Sequence, residues 1–290
     1  MSGELSGSFG RGRPRRGVSP AAVCIGVLLA LDALFTLFPL YMCLLNSVKT
    51  NGEILNNILA LPKSPAFSNY SVTFERMQYF RSILNTILVV AVGLGGMIVF
   101  ASMAGYKLSR IHTKLSNFLF GLFIMSMLIP FSAVMITLNK IAHDLHLQDS
   151  SVGLGLIYVG LGVPMAIFLY HGFVKSIPKE MEEAAHIDGC GEFRTFFIIV
   201  FPLLRPATAT IAILNTLWMW NDFLLPLLVL PSSDHYTLLL SINMLFGEYG
   251  NNDWASIMAA LILAMLPVAA FYLALQKYIM KGIAAGAIKG

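Results

Sequence analysis

The sequence predicts an all-α integral membrane protein with six transmembrane helices and both termini in the cytoplasm. Three observations carry that prediction. The composition is 57% hydrophobic and 12% charged over 290 residues, with a mean hydropathy of +0.75; a soluble domain carries about 25% charged residues. The charges are clustered, leaving six apolar runs of membrane-crossing length. The basic residues are also one-sided, falling mainly on alternate connections between those runs.

In chain order, residues 1–17 form a basic tail holding Arg11, Arg13, Arg15 and Arg16. The apolar run that follows exceeds the core of a signal peptide, about 7–15 residues, and no small-x-small cleavage site closes it. It reads as a retained first span, 21–45, with Asp32 inside it. Four gaps lack Lys, Arg, Asp and Glu for more than twenty residues: Arg81 to Lys107, Lys114 to Lys140, Asp149 to Lys175 and Asp253 to Lys277. They give spans at about 83–105, 116–138, 151–173 and 254–276, and the run 206–230, holding only Asp222, gives the remaining one. About 20 residues of helix cross a ~30 Å hydrocarbon core. Lipid offers no water to backbone amides, so helix is the form such runs take. The membrane domain is then 18–276, followed by a short cytoplasmic tail, 277–290.

Fourteen of the 19 Lys and Arg residues lie in the N-terminal tail, in Lys107 to Lys114, in 175–205 and after span six. Positive charge marks the cytoplasmic side of short loops, so these connections face the cytoplasm. The longest external segment is 46–82, divided by Pro62 and Pro65. Its second half, SNYSVTFERMQYF, reads either as a short helix lying on the membrane surface or as an ordinary loop with interfacial aromatics. Cys24, Cys43 and Cys190 are isolated, and His143 and His146 have no third ligand nearby in sequence. Neither a disulfide framework nor a metal site is expected.

The segment EEAAHIDGCGEFRTFFIIVFPLLRP, within 175–206, breaks the apolar pattern. Glu180, Glu182, Glu183, Asp188, Glu192 and Arg194 would each be costly in lipid, so it reads as two short cytoplasmic helices. Pro178 suits a first helical turn, and acids follow where the helix dipole favours them. Gly189 is placed to close that helix in a left-handed conformation. GEFRTFFIIVF then leads past Pro202 and Pro206 into span five, and Ala184 and Ala185 give the elbow a close-packing face. On composition alone it is a solvated loop that marks topology. Its spacing says more.

Glu183, Ala184, Ala185, Gly189, Ile199, Phe201 and Pro202, at these offsets, resemble the signature loop of the permease subunits of ABC importers. Phe201 stands where Leu is usual and Cys190 where a small Ala is common. LNSVKTNGEI, RSILNTILVV, AGYKLSRIH, WMWNDFLLPLL and the tail QKYIMKGIAAGAIKG resemble the carbohydrate-uptake branch, of the maltose-type small-subunit kind. The resemblance covers nearly the whole chain after the basic tail. It implies the type I ABC importer permease fold and a coupling loop, Asp188 included, that docks into a cleft of a separate ATPase. It implies a tail in which Lys281, Gly282, Gly286 and Gly290 approach the ATPase pair. The implied partners are a second permease in a heterodimer, two copies of the ATPase holding ATP and Mg, and an extracytoplasmic solute-binding protein. In such relatives the other permease largely holds the sugar.

Trp220, Asn221 and Asp222 offer the aromatic face and hydrogen-bonding groups that a sugar uses, and are candidates for the translocation path. Asp222 reads equally as an interfacial structural residue near the outer end of span five. Asp32 reads as a helix–helix hydrogen bond rather than a proton relay. GLGG at 93–96 and GLGL at 153–156 suit close helix packing.

No GxxxxGK[ST], HExxH or GxSxG occurs, so ATP hydrolysis and other catalysis by this chain are not expected, and no cofactor is. RGRPRR beside a span is explained by topology and anionic lipid, not nucleic acid. The sequence thus reads as the permease subunit of an ATP-driven importer for a sugar or oligosaccharide. The alternatives are an ABC permease for an amino acid, peptide or other small solute, and an ion-coupled secondary transporter. The latter is disfavoured because spans two, three, four and six carry no Asp, Glu, Lys or Arg and no internal repeat is evident.

Overall fold

The chain begins its described part with a helix that is apolar on every side: α1, Pro20–Ser47. The computed structural model describes residues 20–247 and 252–287, so the basic tail 1–17 lies outside them. Among the described residues every regular element is helical. Although α14 runs beside α1, the apolar stretch of α1 stays exposed among the described residues, and Asp32 lies exposed upon it. The hydrogen bond expected of Asp32 is not made within the described residues.

Beyond α1 the chain turns through an ordered external segment. Lys49 is almost fully buried, and its ammonium donates to Asn46 Oδ1 (3.0 Å), Ile58 O (3.0 Å) and Asn57 O (3.3 Å). Three acceptors for three donors make that burial tolerable. Thr50 and Glu53 form a capping box at the start of α2, Asn51–Asn56. The helix α3, Ser68–Arg76, does form, and one face of it packs on protein. Thr73 is fully buried and its hydroxyl donates to Ser256 O (3.3 Å), Met77 is fully buried, and Phe74 packs in a cluster with Tyr79 and Leu238. The Asp253 carboxylate closes this contact. It pairs with Arg76 (2.9 Å) and accepts bonds from the Asn51 amide, the Ser256 amide and the Ser256 hydroxyl. Burial raises its pKa, but the Ser256, Asn51 and Arg76 interactions together hold it below the usual carboxylate value.

Span two is α4, Tyr79–Arg110, whose 32 residues reach about 48 Å at the α-helical rise. Ion pairs sit at both of its ends: Arg81 with Asp234 (2.7 Å) at one, Arg110 with Glu182 (2.5 Å) and Lys107 with Glu192 (2.5 Å) at the other. Span four is α7, Ser151–Val174, and it packs along α4. Glycines set that distance. A Cβ added to Gly155 would meet Val92 Cβ at 2.7 Å and Val89 O at 3.1 Å. Span six is α14, Trp254–Ala287, which runs on in backbone through the start of the expected tail. The side chains of Lys281 and of the rest of that tail, and Gly290 altogether, lie outside the described part.

Spans three and five are not single helices. Span three is divided into α5, Lys114–Ser126, and α6, Phe131–Asp144, bent by 103° across Met127–Pro130. Pro130 supplies no N–H and disfavours helix at Ile129. Phe120 stacks on His171 near the end of α7, whereas Ala142 packs with Leu154 near its beginning, so the two halves cover the bundle from end to end. Among the described residues four helices are unbroken and long enough to cross a membrane, and up to six spans result if each bent pair, Lys114–Ser126 with Phe131–Asp144 and Glu192–Leu203 with Arg205–Asn221, counts as one.

Candidate functional site

The elbow is built as its residue types dictate. The helix α8, Glu180–Ile187, starts after Pro178 with Glu180, Glu182 and Glu183 in its first turn. It ends on Asp188, and Gly189 follows at φ +81°. The Cys190 amide donates back to Ala185 O (2.9 Å) and the Gly189 amide to His186 O (3.0 Å), the two bonds of a Schellman cap. Nothing lies within 4 Å of a Cβ added to Gly189, so backbone conformation, not space, demands glycine there.

The second limb is helical but not uniformly so. The turn α9, Glu192–Thr195, widens into a π-helical stretch, Phe196–Val200, and closes as α10, Phe201–Leu203. Pro202, which cannot donate, stands just after that wide turn. At Leu204 the axis bends by 71° into α11, Arg205–Asn221, with Pro206 in its first turn.

The elbow is fastened to α4 as well as to span five, which sequence reasoning missed. Glu182 is buried between the limbs and α4. Its Oε1 accepts from Arg110 Nε (2.8 Å) and Nη2 (2.5 Å), and its Oε2 from the Tyr106 hydroxyl (2.8 Å). Arg110 Nη2 also donates to Ile177 O (2.9 Å). Both side chains are nearly buried, 13% and 10% exposed, so this pair is screened far less than a surface one. Phe196, Val200 and Leu204 join Tyr106, Tyr170 and Val174 in one apolar cluster beneath. The Lys107–Glu192 pair is exposed, and its hydrogen bond and charge hold Glu192 below the usual carboxylate value. The usable signal for Glu182 was its i, i+3 spacing with buried Ala185.

Of the expected coupling residues, Glu183, Ala184, Asp188 and Gly189 are exposed on α8 and its cap, whereas Ala185 is turned inward. Ile199 and Pro202 are half-buried on the second limb. The exposed side of the elbow also carries Ile187, 87% exposed, and Phe193, 70% exposed. Ile187 stands at the end of the acid-rich α8 and Phe193 on α9.

An open cavity of about 1050 Å³ lies between α5, α6, α7 and α11. Span five is interrupted there: α11 ends at Asn221, and α12, Leu224–Val229, restarts it. Asp222 makes that restart, its Oδ1 accepting from the Leu224 (3.0 Å) and Leu225 (3.4 Å) amides, while its Oδ2 accepts from the Tyr158 hydroxyl (2.8 Å). Asn221 and Asp222 line the cavity, but Trp220 does not: it packs on the cluster around Tyr79 and Leu238. The indole on the cavity wall is that of Trp218, set edge-on to Tyr158 at 5.2 Å.

Residues 97–285 match the family described as "Binding-protein-dependent transport system inner membrane component". The chain is 38% identical over 265 residues to the probable starch degradation products transport system permease protein AmyC of Thermoanaerobacterium thermosulfurigenes, covering 91% of this chain and 95% of that one. It is 37% identical to the melibiose/raffinose/stachyose import permease protein MelC of Bacillus subtilis, over 92% and 96% of the two chains. Against the arabinooligosaccharides transport system permease protein AraQ of Bacillus subtilis the identity is 35%, over 89% and 92%. Among solved structures it matches a chain of a bacterial ABC transporter that imports the acidic polysaccharide alginate. That match has a TM-score of 0.77 at 22% identity and covers 93% of this chain and 99% of the other. At that identity the likeness establishes the ABC importer permease fold.

Proposed function

This chain belongs to the binding-protein-dependent inner membrane components, the membrane permeases of ABC importers, and we propose that it moves a sugar or oligosaccharide inward. Importers of this family work with an ATPase and a solute-binding protein. In our reading this chain is one half of a permease heterodimer that binds two ATPase copies. Those ATPases hold ATP and Mg, and this chain hydrolyses nothing. Six spans, two of them bent, cross the inner membrane within 18–276, with both termini in the cytoplasm. The bare apolar stretch of α1, Asp32 included, favours a lipid or second-permease neighbour over water.

The observation that carries this function is the elbow. It presents Glu183, Ala184, Ile187, Asp188 and Gly189 outward from a helix locked by Glu182 to Arg110 on α4. A push on α8 is therefore delivered to span two through an ion pair and to span five through the π turn at Ile199 and Pro202. The tail residues Lys281, Gly282 and Gly286 would add a second ATPase contact. The carbohydrate cargo is supported by the similarity to AmyC, MelC and AraQ, permeases for starch degradation products, for melibiose, raffinose and stachyose, and for arabinooligosaccharides.

Reconstitution of the chain with its co-purifying subunits tests the reading. Uptake of malto-, arabino- or galacto-oligosaccharides is expected to need ATP on the elbow side and the binding protein, and to ignore an ionophore. Uptake that an ionophore abolishes and ATP does not affect contradicts it in favour of a secondary transporter.

A further inference from the structure

The two limbs of the elbow differ in charge. The first, α8, exposes the acids Glu180, Glu183 and Asp188, with Lys179 at its start and His186 near its end. In the second, residues 192–205, the one acid is Glu192, and the Lys107 ammonium already pairs with it. The cations of that limb, Arg194 and Arg205, are exposed and meet no carboxylate among the described residues. The same holds for Lys114 and Lys175, exposed at the elbow's end of α5 and α7.

The second limb also has two faces. Phe196, Val200 and Leu204 are buried against Tyr106, Tyr170 and Val174. On the free side Phe193, Phe197 and Ile198 are half exposed or more, and Leu203 is exposed as well. The orientation of the limb says what meets them. Glu192–Leu203 is bent by 71° from α11, the span it feeds. Membrane helices tilt by about 20° from the bilayer normal, so the limb lies within about 40° of the membrane plane. It joins α11 at Leu204, where span five leaves the hydrocarbon. A helix lying flat at that depth, with bulky apolar side chains and arginines on its free side, fits the headgroup boundary. Arg194 and Arg205 stand at opposite ends of the limb, and a leaflet presents phosphate to both ends at once.

We propose that the second limb is an interfacial anchor for anionic phospholipid of the cytoplasmic leaflet. Phe197, Ile198 and Leu203 enter the acyl boundary, and Arg194 and Arg205 reach past it to headgroup phosphates. An anionic surface repels the acids of α8, so the first limb stays clear of the membrane and open to the ATPase. The proposal rests on the cytoplasmic placement of the elbow and is independent of the cargo.

Lipid-borne quenching in the assembled importer tests this. Every native cysteine is replaced, Cys24, Cys43 and Cys190 included, and Ile198→Cys carries the fluorophore NBD; Phe197→Cys serves if that variant does not assemble. The importer, with its co-purifying subunits, is placed in nanodiscs of phosphatidylcholine and phosphatidylglycerol. One lipid or the other bears a nitroxide near the top of the acyl chain. Both are expected to quench, with phosphatidylglycerol favoured at the label by roughly fivefold, the gain from one cation near an anionic surface. Arg194→Gln with Arg205→Gln is expected to bring that preference close to one; Arg194→Gln alone is expected to lower it, and serves if the double variant does not assemble. Quenching without preference overturns the anionic contact. No quenching by lipid overturns the anchor, in favour of water where iodide quenches the label and of a protein neighbour where it does not. Nanodiscs present both leaflets alike, so these outcomes are independent of orientation. Labelling of Ile187→Cys by an impermeant maleimide on intact cells would separately overturn the cytoplasmic placement.

Discussion

Glu182 is the acid that the elbow turns inward, while Glu180, Glu183, Asp188 and Glu192 stay exposed. Replacing it by glutamine leaves the Arg110 guanidinium nearly buried without its counter-charge. Breaking such a pair costs about 3 kcal/mol, the low end for buried ion pairs, since both side chains keep some exposure. The expected outcome is a lower thermal midpoint for Glu182→Gln in detergent, recovered in good part by adding Arg110→Gln, because no charge is then stranded. Two equal and additive losses would mean that the groups are not coupled. At Gly189 the φ of +81° alone decides. Gly189→Ala meets no neighbour, so its cost is the left-handed backbone, about 1 kcal/mol, and is read as that loss of stability in the same melt. Trp218, not Trp220, is the indole on the cavity wall. Two residues apart on a helix are about 200° apart in azimuth, so of Trp218 and Trp220 only one can face a given wall. Nothing in WMWND says which.

At the scale of elements, the closeness of α4 and α7 rests on missing side chains. Gly155→Val is expected to drive those helices apart and cost about 1–3 kcal/mol, measured as a drop in the thermal midpoint, because Val92 Cβ and Val89 O already occupy the space. The contact of α3 with the start of α14 is expected to depend on pH. The Asp253 carboxylate is held below its unfolded value, so its contribution is present above about pH 4 and is lost as pH falls through the lower folded value. Protection of the Ser68–Arg76 amides, relative to their intrinsic exchange rates, should therefore fall on acidification below about pH 4 and be less pH-sensitive in Asp253→Asn. Protection indifferent to pH in the native chain would remove Asp253 from that contact. The charge gaps made spans one, two, four and six legible, since each is a helix long and apolar enough to cross. They could not show the breaks at Met127–Pro130 and at Asp222–Phe223. Hydropathy averages over a window and carries no direction, so a bent pair and a straight span look alike.

At the scale of the molecule, the elbow was the most legible part of the site, because Pro178, the acids of the first turn and Gly189 are local signals with local causes. Its anchor to α4 was not, since Arg110 and Glu182 are 72 residues apart and each had a sufficient topological explanation by itself. Asn215, on the cavity wall, went unremarked although a lone amide within an apolar run is a visible signal; what it faces depends on how span five is turned against α5 and α7. The central claim is that this elbow receives an ATPase and passes its closure to spans two and five. Purification of the tagged chain from its native membrane, beside the same chain bearing Gly189→Pro, tests it most directly. The native chain is expected to bring down an ATPase and a second permease, and the variant to keep the permease and lose the ATPase. An ATPase retained in full by the variant, or a native chain recovered alone, would contradict it.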